Sequence, residues 1–194
     1  AYKQGMEYIK DKGYYYIDGW DNDELIYAGQ GTCAYEIFEQ IKDIDTLLVP
    51  IGGGSLVTSS AVVAKHINPN IKVIGVYSES CPAWEASVRE NRLYYEYDSM
   101  ESICEAMVGG IGHLSFELKD FVDYAISVKE EVIKDAMIHA IFNEKIVAEA
   151  AGAVPIAAMM QYGNQIPGKN IALIISGGNA DNNIILEKMK TITK

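Results

Sequence analysis

Basic residues are scarce beside acidic ones: 16 Lys and Arg stand against 27 Asp and Glu, a formal net charge of −11 over 194 residues. A surface of that sign repels phosphate backbones at long range, which argues against a nucleic-acid partner. It does not oppose one small phosphate held locally by backbone N–H groups. Apolar runs are short, the longest being stretches such as residues 171–175. Crossing a bilayer takes about 20 apolar residues, so no membrane segment is expected. The amino terminus has no basic patch followed by an apolar export signal. Cysteine is limited to Cys33, Cys81 and Cys104, far apart and without CxxC spacing. That is the pattern of reduced thiols in a cytoplasm, acting as small core hydrophobes. His66, His113 and His139 share no ligand spacing, and no HExxH, GxSxG or EF-hand pattern occurs. Neither a metal site nor a Ser-His-Asp triad is expected. Repeats, low-complexity tracts and Pro/Ser-rich linkers are absent as well.

What remains is a globular composition, 49% hydrophobic and 22% charged. Residues 46–51 (TLLVPI) and 170–176 (NIALIIS) lack polar alternation and read as fully buried strands; residues 71–77 (IKVIGVY) read similarly. Such strands are covered on both faces, which predicts a mostly parallel twisted sheet between helices, an α/β fold. Residues 123–128 offer a further strand. Helical spacing marks residues 55–67, 130–143, 149–162 and 181–189. It also marks residues 32–41, where Tyr35, Ile37, Phe38 and Ile41 share a side. The opening differs: residues 1–12 read as a helix capped by Gly13, and residues 14–17 as a short strand. The polar stretch 19–24 then reads as a boundary. The chain starts at Ala1 rather than Met, and this opening is read as the tail of another unit.

Three places carry chemistry. The first is Gly52-Gly53-Gly54-Ser55-Leu56, between a buried strand and a helix. Three consecutive glycines cost backbone entropy. A strand-to-helix turn with no Cβ atoms lets an anion approach successive N–H groups, and Ser55 can cap the helix or donate to a phosphate. A tight turn without a ligand fits the run equally well. The second is Ser176-Gly177-Gly178-Asn179, at the end of another strand of the same sheet, where open α/β sheets place their ligands. Ser176 offers a neutral hydroxyl suited to a ring nitrogen; it also suits a cap or a turn. The third is Glu149, before Ala150-Ala151-Gly152-Ala153. A helix macrodipole favours its charge in a first turn, and the small residues suit close packing. Asp43, Asp45, Glu130 and Glu131 read as solvated charges.

Taken together, Ala28-Gly29-Gln30-Gly31-Thr32 with Glu36, then VPIGGGSL, IKVIGVYSES, EAAGAVPIAA and IALIISGGNAD, resemble one family in order and spacing. It is the threonine/serine dehydratase and serine racemase branch of the fold-type-II enzymes that use pyridoxal 5′-phosphate, and the resemblance covers essentially the whole chain. It implies a tryptophan synthase β-like fold with an incomplete large domain. Residues 1–24 would be the tail of the small domain and residues 25–194 the cofactor-binding domain. It further implies that the backbone amides of Gly52, Gly53, Gly54, Ser55 and Leu56 bind the cofactor phosphate, Ser55 standing where members usually have a fourth glycine. Ser176 would hydrogen-bond the pyridine nitrogen, a neutral partner that favours prompt β-elimination. Glu149 would lie near the ring edge.

Departures from the family pattern are equally informative. The metal-binding carboxylate of serine racemases falls at Tyr77, with other ligand positions near Cys81 and Ala83, so that site is expected to be missing. The Ser-x-Lys segment whose lysine carries the cofactor, and the Asn loop that binds the substrate carboxylate, precede the region matching Ala1. No catalytic residue is therefore assigned. The implied function is that of the C-terminal portion of a cytoplasmic threonine or serine dehydratase, an ammonia-lyase forming a 2-oxo acid. Such a portion is expected to be inactive alone and the complete enzyme homo-oligomeric, with a small amino acid as substrate. A serine racemase-like enzyme, and a non-catalytic binding or interaction module on the same fold, are the alternatives.

Overall fold

The structure, a computed structural model, describes residues 2–17 and 24–192. Its centre is a parallel four-stranded sheet of β1 (Thr46–Pro50), β2 (Lys72–Ser78), β3 (Tyr124–Val128) and β4 (Ile171–Leu173), in the order β3-β2-β1-β4. Thr46 stands beside both Lys72 and Ile171, and Val76 beside Ile126. The pleat sends alternate residues of β1 to opposite faces. Leu47 and Val49 meet Phe38, Val57 and Ala61 of α2 (Glu24–Gln40) and α3 (Ser55–Ile67). Leu48 points to the other face, against Ile133, Met137, Val154 and Ala157 of α6 (Glu130–His139) and α7 (Ala150–Tyr162). All of these β1 side chains are fully buried, each contributing roughly 1.5–3 kcal/mol of transfer free energy. The expected sheet with helices on both faces is thus what forms. Two short helices, α4 (Ala83–Arg89) and α5 (His113–Glu117), lie between β2 and β3 in the chain, and α8 (Asn182–Ile192) is tied to α6 by Lys188, whose ammonium meets Glu131 at 2.5 Å and Asp135 at 2.7 Å. No described helix is long and apolar enough to cross a membrane.

Several expectations need correction. Residues 14–17 form no strand, because a strand needs a paired neighbour and none of the described residues supplies one. They follow α1 (Tyr2–Lys12) as exposed chain, Tyr15 being 82% accessible. The boundary read at residues 19–24 falls outside the described residues except for Glu24, which opens α2. That helix runs through Gly29 and Gly31 instead of starting at Thr32. Its buried stripe is Tyr27, Gly31, Ala34 and Phe38, and Tyr35 and Ile41 are exposed. Gly31 sits in that stripe because α2 lies close upon α3: a Cβ there would come within 3.1 Å of Val63 Cγ2. The run at residues 170–176, read as a fully buried strand, pairs over only three residues. It is a half-buried edge strand whose outer side has no described partner. Finally, α6 ends at His139 and a wide turn, Ala140–Glu144, follows.

At the amino-terminal end of the strands, charges are paired. Asp123 accepts hydrogen bonds from Lys65 (2.7 Å), Lys72 (2.9 Å) and the backbone N–H of Val73 (2.8 Å). Burial alone would raise its carboxyl; the hydrogen bonds from Lys65, Val73 and Lys72 outweigh that and hold it below the usual range. Asp45, exposed, likewise sits low because it accepts the N–H groups of Asn170 and Lys169.

Candidate cofactor cleft

At the other end of the sheet, β1 runs out into Gly52, Gly53 and Gly54, and α3 begins. The residue before the helix is Gly54, at φ +95°, a backbone region that costs any L side chain strain. A Cβ there would also strike Ser115 at 2.7 Å. Ser55 is therefore the first residue of the helix and makes no capping bond, contrary to one of the two roles open to it. None of Gly52, Gly53, Gly54, Ser55 and Leu56 donates a backbone hydrogen bond to a described residue. The first N–H groups of a helix have no partner within it, and here they open together with the loop amides on one spot. The loop is braced from behind: Gly53 O accepts Gly112 N–H at 2.9 Å, and Thr58 donates to Gly54 O from both its backbone (3.0 Å) and hydroxyl (2.9 Å). Behind Ser115, the hydroxyls of Ser115 and Tyr27 lie 2.6 Å apart.

The second glycine corner follows β4. Ile174 N–H still bonds Leu48 O, after which Ser176 is exposed. Ser176 does not cap α8, since Asp181 takes that role by accepting Asn183 N–H at 2.8 Å. Glu149 precedes α7 in an extended conformation and donates its N–H to Gly177 O at 2.9 Å. Its carboxylate lies directly over Gly177, where any Cβ would collide with it. Glycine at 177 is what lets helix α7 and this corner touch.

The two corners open on one cleft of about 370 Å³. Gly52, Gly53, Gly54, Ser55, Leu56, Glu149 and Ser176 all line it, so the seven residues expected to hold the cofactor arrive at the same place, whereas Gly177, Gly178 and Asn179 do not line it. A larger cavity of about 570 Å³ adjoins it, sharing Ala106, Glu149 and Ala151 as a common wall. Four lining residues were not singled out: Gln30, Pro50, Ala106 and Met107. Gln30 carried a signal, standing between Gly29 and Gly31 in a quoted block. Ala106 and Met107 carried none, for their place depends on a distant anchor. That anchor is Glu130, read as a solvated charge but in fact half-buried. It accepts hydrogen bonds from the hydroxyls of Ser78 and Ser102, the latter at 2.6 Å, and from Ile103 N–H at 3.0 Å. Desolvation pushes its carboxyl up, but the hydrogen bonds from Ser102, Ser78 and Ile103 leave it below the ordinary carboxylate value. The loop so held brings Ala106 O against Gly52, where a Cβ would sit 2.6 Å from it.

Among the described residues, no lysine lines either cavity. Tyr77, which the resemblance sets where serine racemases carry a metal-binding carboxylate, donates its hydroxyl to Glu85 at 2.6 Å, and burial pushes that phenol well up. Cys33, Cys81 and Cys104 are free thiols, the last two buried as expected.

The profile of the family described as pyridoxal-phosphate dependent enzyme matches residues 1–177. The chain belongs to that family. Its relatives lie in the branch that the motifs resemble. It is similar to the L-threonine ammonia-lyase of Thermotoga maritima, 38% identical over 187 residues, which is 95% of this chain and 46% of that protein. The solved T.th. threonine deaminase superposes with a TM-score of 0.87 at 29% identity, covering 92% of this chain and 59% of that one. Serine racemase from Dictyostelium discoideum gives a TM-score of 0.83 at 30% identity, with 92% and 58% covered. The chain thus spans about half the length of the curated relatives it matches. As a member of the pyridoxal-phosphate family, it has a cleft whose donors suit the group: unpaired amides at a helix start for a phosphate, and a neutral hydroxyl at the facing corner.

Proposed function

We propose that this chain forms most of the cofactor-binding domain of a pyridoxal 5′-phosphate-dependent ammonia-lyase acting on L-threonine or L-serine. The observation that carries the reading is the meeting of two glycine corners, each at the carboxyl end of a strand, in a single cleft. In this reading the amides of Gly52, Gly53, Gly54, Ser55 and Leu56 hold the phosphate, with the positive end of the α3 dipole behind them. Ser176 turns its hydroxyl to the ring nitrogen and adds no charge there. Glu149 borders the ring edge, its place set by its own N–H on Gly177. The bound cofactor supplies the electron sink for loss of the amino acid's α-proton. The Gly54 turn and the Glu130-anchored loop fix the walls that orient it.

Among the described residues the cleft offers no lysine amine to tether the cofactor covalently and shuttle that proton. The chain alone is therefore proposed to bind pyridoxal 5′-phosphate reversibly and not to turn over amino acids. Equilibrium dialysis of the purified chain against pyridoxal 5′-phosphate, followed by addition of L-threonine and a 2-oxo acid assay, tests both halves. Saturable binding without product is expected. No binding, or product formed by the chain alone, would overturn the reading. The likeness to a serine racemase keeps a racemase-like activity as the second reading for a longer polypeptide containing this fold; chiral analysis of L-serine incubated with such a polypeptide separates the two.

A further inference from the structure

The cleft contains one polar group that the roles above leave unexplained. Gln30 lines it from α2, yet its Oε1 is buried and has no hydrogen-bond partner among the described residues. A buried carbonyl oxygen without a donor is costly, and folded proteins seldom retain one without a use for it. Its location narrows what the use is. One helical turn before it, Tyr27 reaches Ser115, the residue packed behind Gly54. One residue after it, Gly31 lies against the backbone of Ser59, the next turn of α3. Gln30 is therefore held beside the first turn of α3, at the end of the cleft where the unpaired amides open.

We propose that Gln30 is a ligand-binding residue at the phosphate end of the cleft. Its Oε1 accepts a hydrogen bond from a donor that the ligand brings, the P–O–H of a monoprotonated phosphate or a water bound to that phosphate. The amides of residues 52–56 can only donate, so they recognise negative charge without regard to protonation. An acceptor among them adds a requirement for a hydrogen. An anion with no donor of its own and no bound water leaves Gln30 unsatisfied, which discriminates between anions of similar size. This inference rests on the cofactor reading above.

The test compares the intact chain with Gln30→Met, which keeps the length and volume of the side chain and removes both polar atoms. Three measurements are made on each: thermal midpoint without ligand, dissociation constant for pyridoxal 5′-phosphate, and inhibition of that binding by inorganic phosphate. An orphaned acceptor that serves a ligand predicts a divided outcome. The unliganded midpoint stays level or rises by up to roughly 3 °C, because a buried unsatisfied group has been removed. Pyridoxal 5′-phosphate and inorganic phosphate both bind about tenfold more weakly, the worth of one hydrogen bond to an anionic group. A second variant, Gln30→Glu, puts negative charge at the same spot and should weaken both by more than Gln30→Met does. A lowered midpoint in Gln30→Met would overturn the proposal, since it would mark the amide as a structural support. Unchanged affinity for both ligands would overturn it too. Weakened pyridoxal 5′-phosphate binding with unchanged phosphate inhibition would overturn the assignment to the phosphate end. Failure of the unsubstituted chain to bind pyridoxal 5′-phosphate would instead overturn the cofactor reading and this one with it.

Discussion

The two ends of the sheet are built on opposite principles. At the amino-terminal end, polar groups are matched: Asp123 takes two lysines and a backbone N–H, and Asp45 takes two N–H groups. At the carboxyl end, among the described residues, five consecutive ones donate no backbone hydrogen bond, a serine stands exposed, and a buried amide oxygen is left over. Both ends come from the same strands, so the difference is not one of fold. It separates the groups that hold the molecule together from those kept for something else.

Substitutions at each end should therefore fail in different ways. The largest effect is expected from Gly54→Val, which forces a β-branched residue into φ +95° and against Ser115. It should lower stability by at least about 3 kcal/mol and abolish pyridoxal 5′-phosphate binding, checked by urea denaturation and dialysis. Asp123→Ala comes next and should cost about 2 kcal/mol while leaving ligand affinity untouched. It should also change the acid limb. The Asp123 carboxyl is held low in the folded chain, so its contribution is complete above the unfolded value of about 3.9 and is lost as pH falls through the lower folded value. Urea midpoints measured from pH 7 down to strong acid should fall less steeply in that window for Asp123→Ala. Ser176→Ala should reverse the pattern: stability within about 0.5 kcal/mol of the parent, but up to tenfold weaker pyridoxal 5′-phosphate binding with unchanged inhibition by inorganic phosphate. The smallest change is expected for Lys72→Met. Its side chain is 52% exposed against 21% for Lys65, so less than about 0.5 kcal/mol should be lost. A large loss of affinity from Asp123→Ala, or of stability from Ser176→Ala, would break the contrast.

The sequence spoke clearly where burial and backbone chemistry act locally. Uninterrupted apolar runs announced β1 and β2, and the spacing of residues 55–67 matched α3 end to end. Glycine clusters at strand ends marked both corners of the cleft, although a tight turn without a ligand fitted the first of them equally well. Errors arose where tertiary contacts decide. The spacing placed a helix only from residue 32, whereas α2 runs through Gly29 and Gly31, and it is at Gly31 that the close approach of α2 to α3 requires a residue without a side chain. Glu130 looked like any helix-start acid until Ser78, Ser102 and Ile103, from elsewhere in the chain, were brought around it. The depth of burial at residues 170–176 depended on how many neighbours β4 has, which composition does not encode. That the two corners meet follows from a strand order that puts β4 beside β1.

The short pairing of β4 has a consequence for motion. Beyond Ile174, the segment carrying Ser176 packs on the core through Ile175, but among the described residues its one backbone hydrogen bond to the rest is the Glu149 N–H on Gly177. Amide protons there should exchange with deuterated solvent far faster than those of β1, which is hemmed in on both sides. A ligand that bridges the two corners would slow that exchange at residues 175–178 and scarcely alter the interior. The rim of the cleft thus becomes its own reporter of occupancy, readable without any turnover.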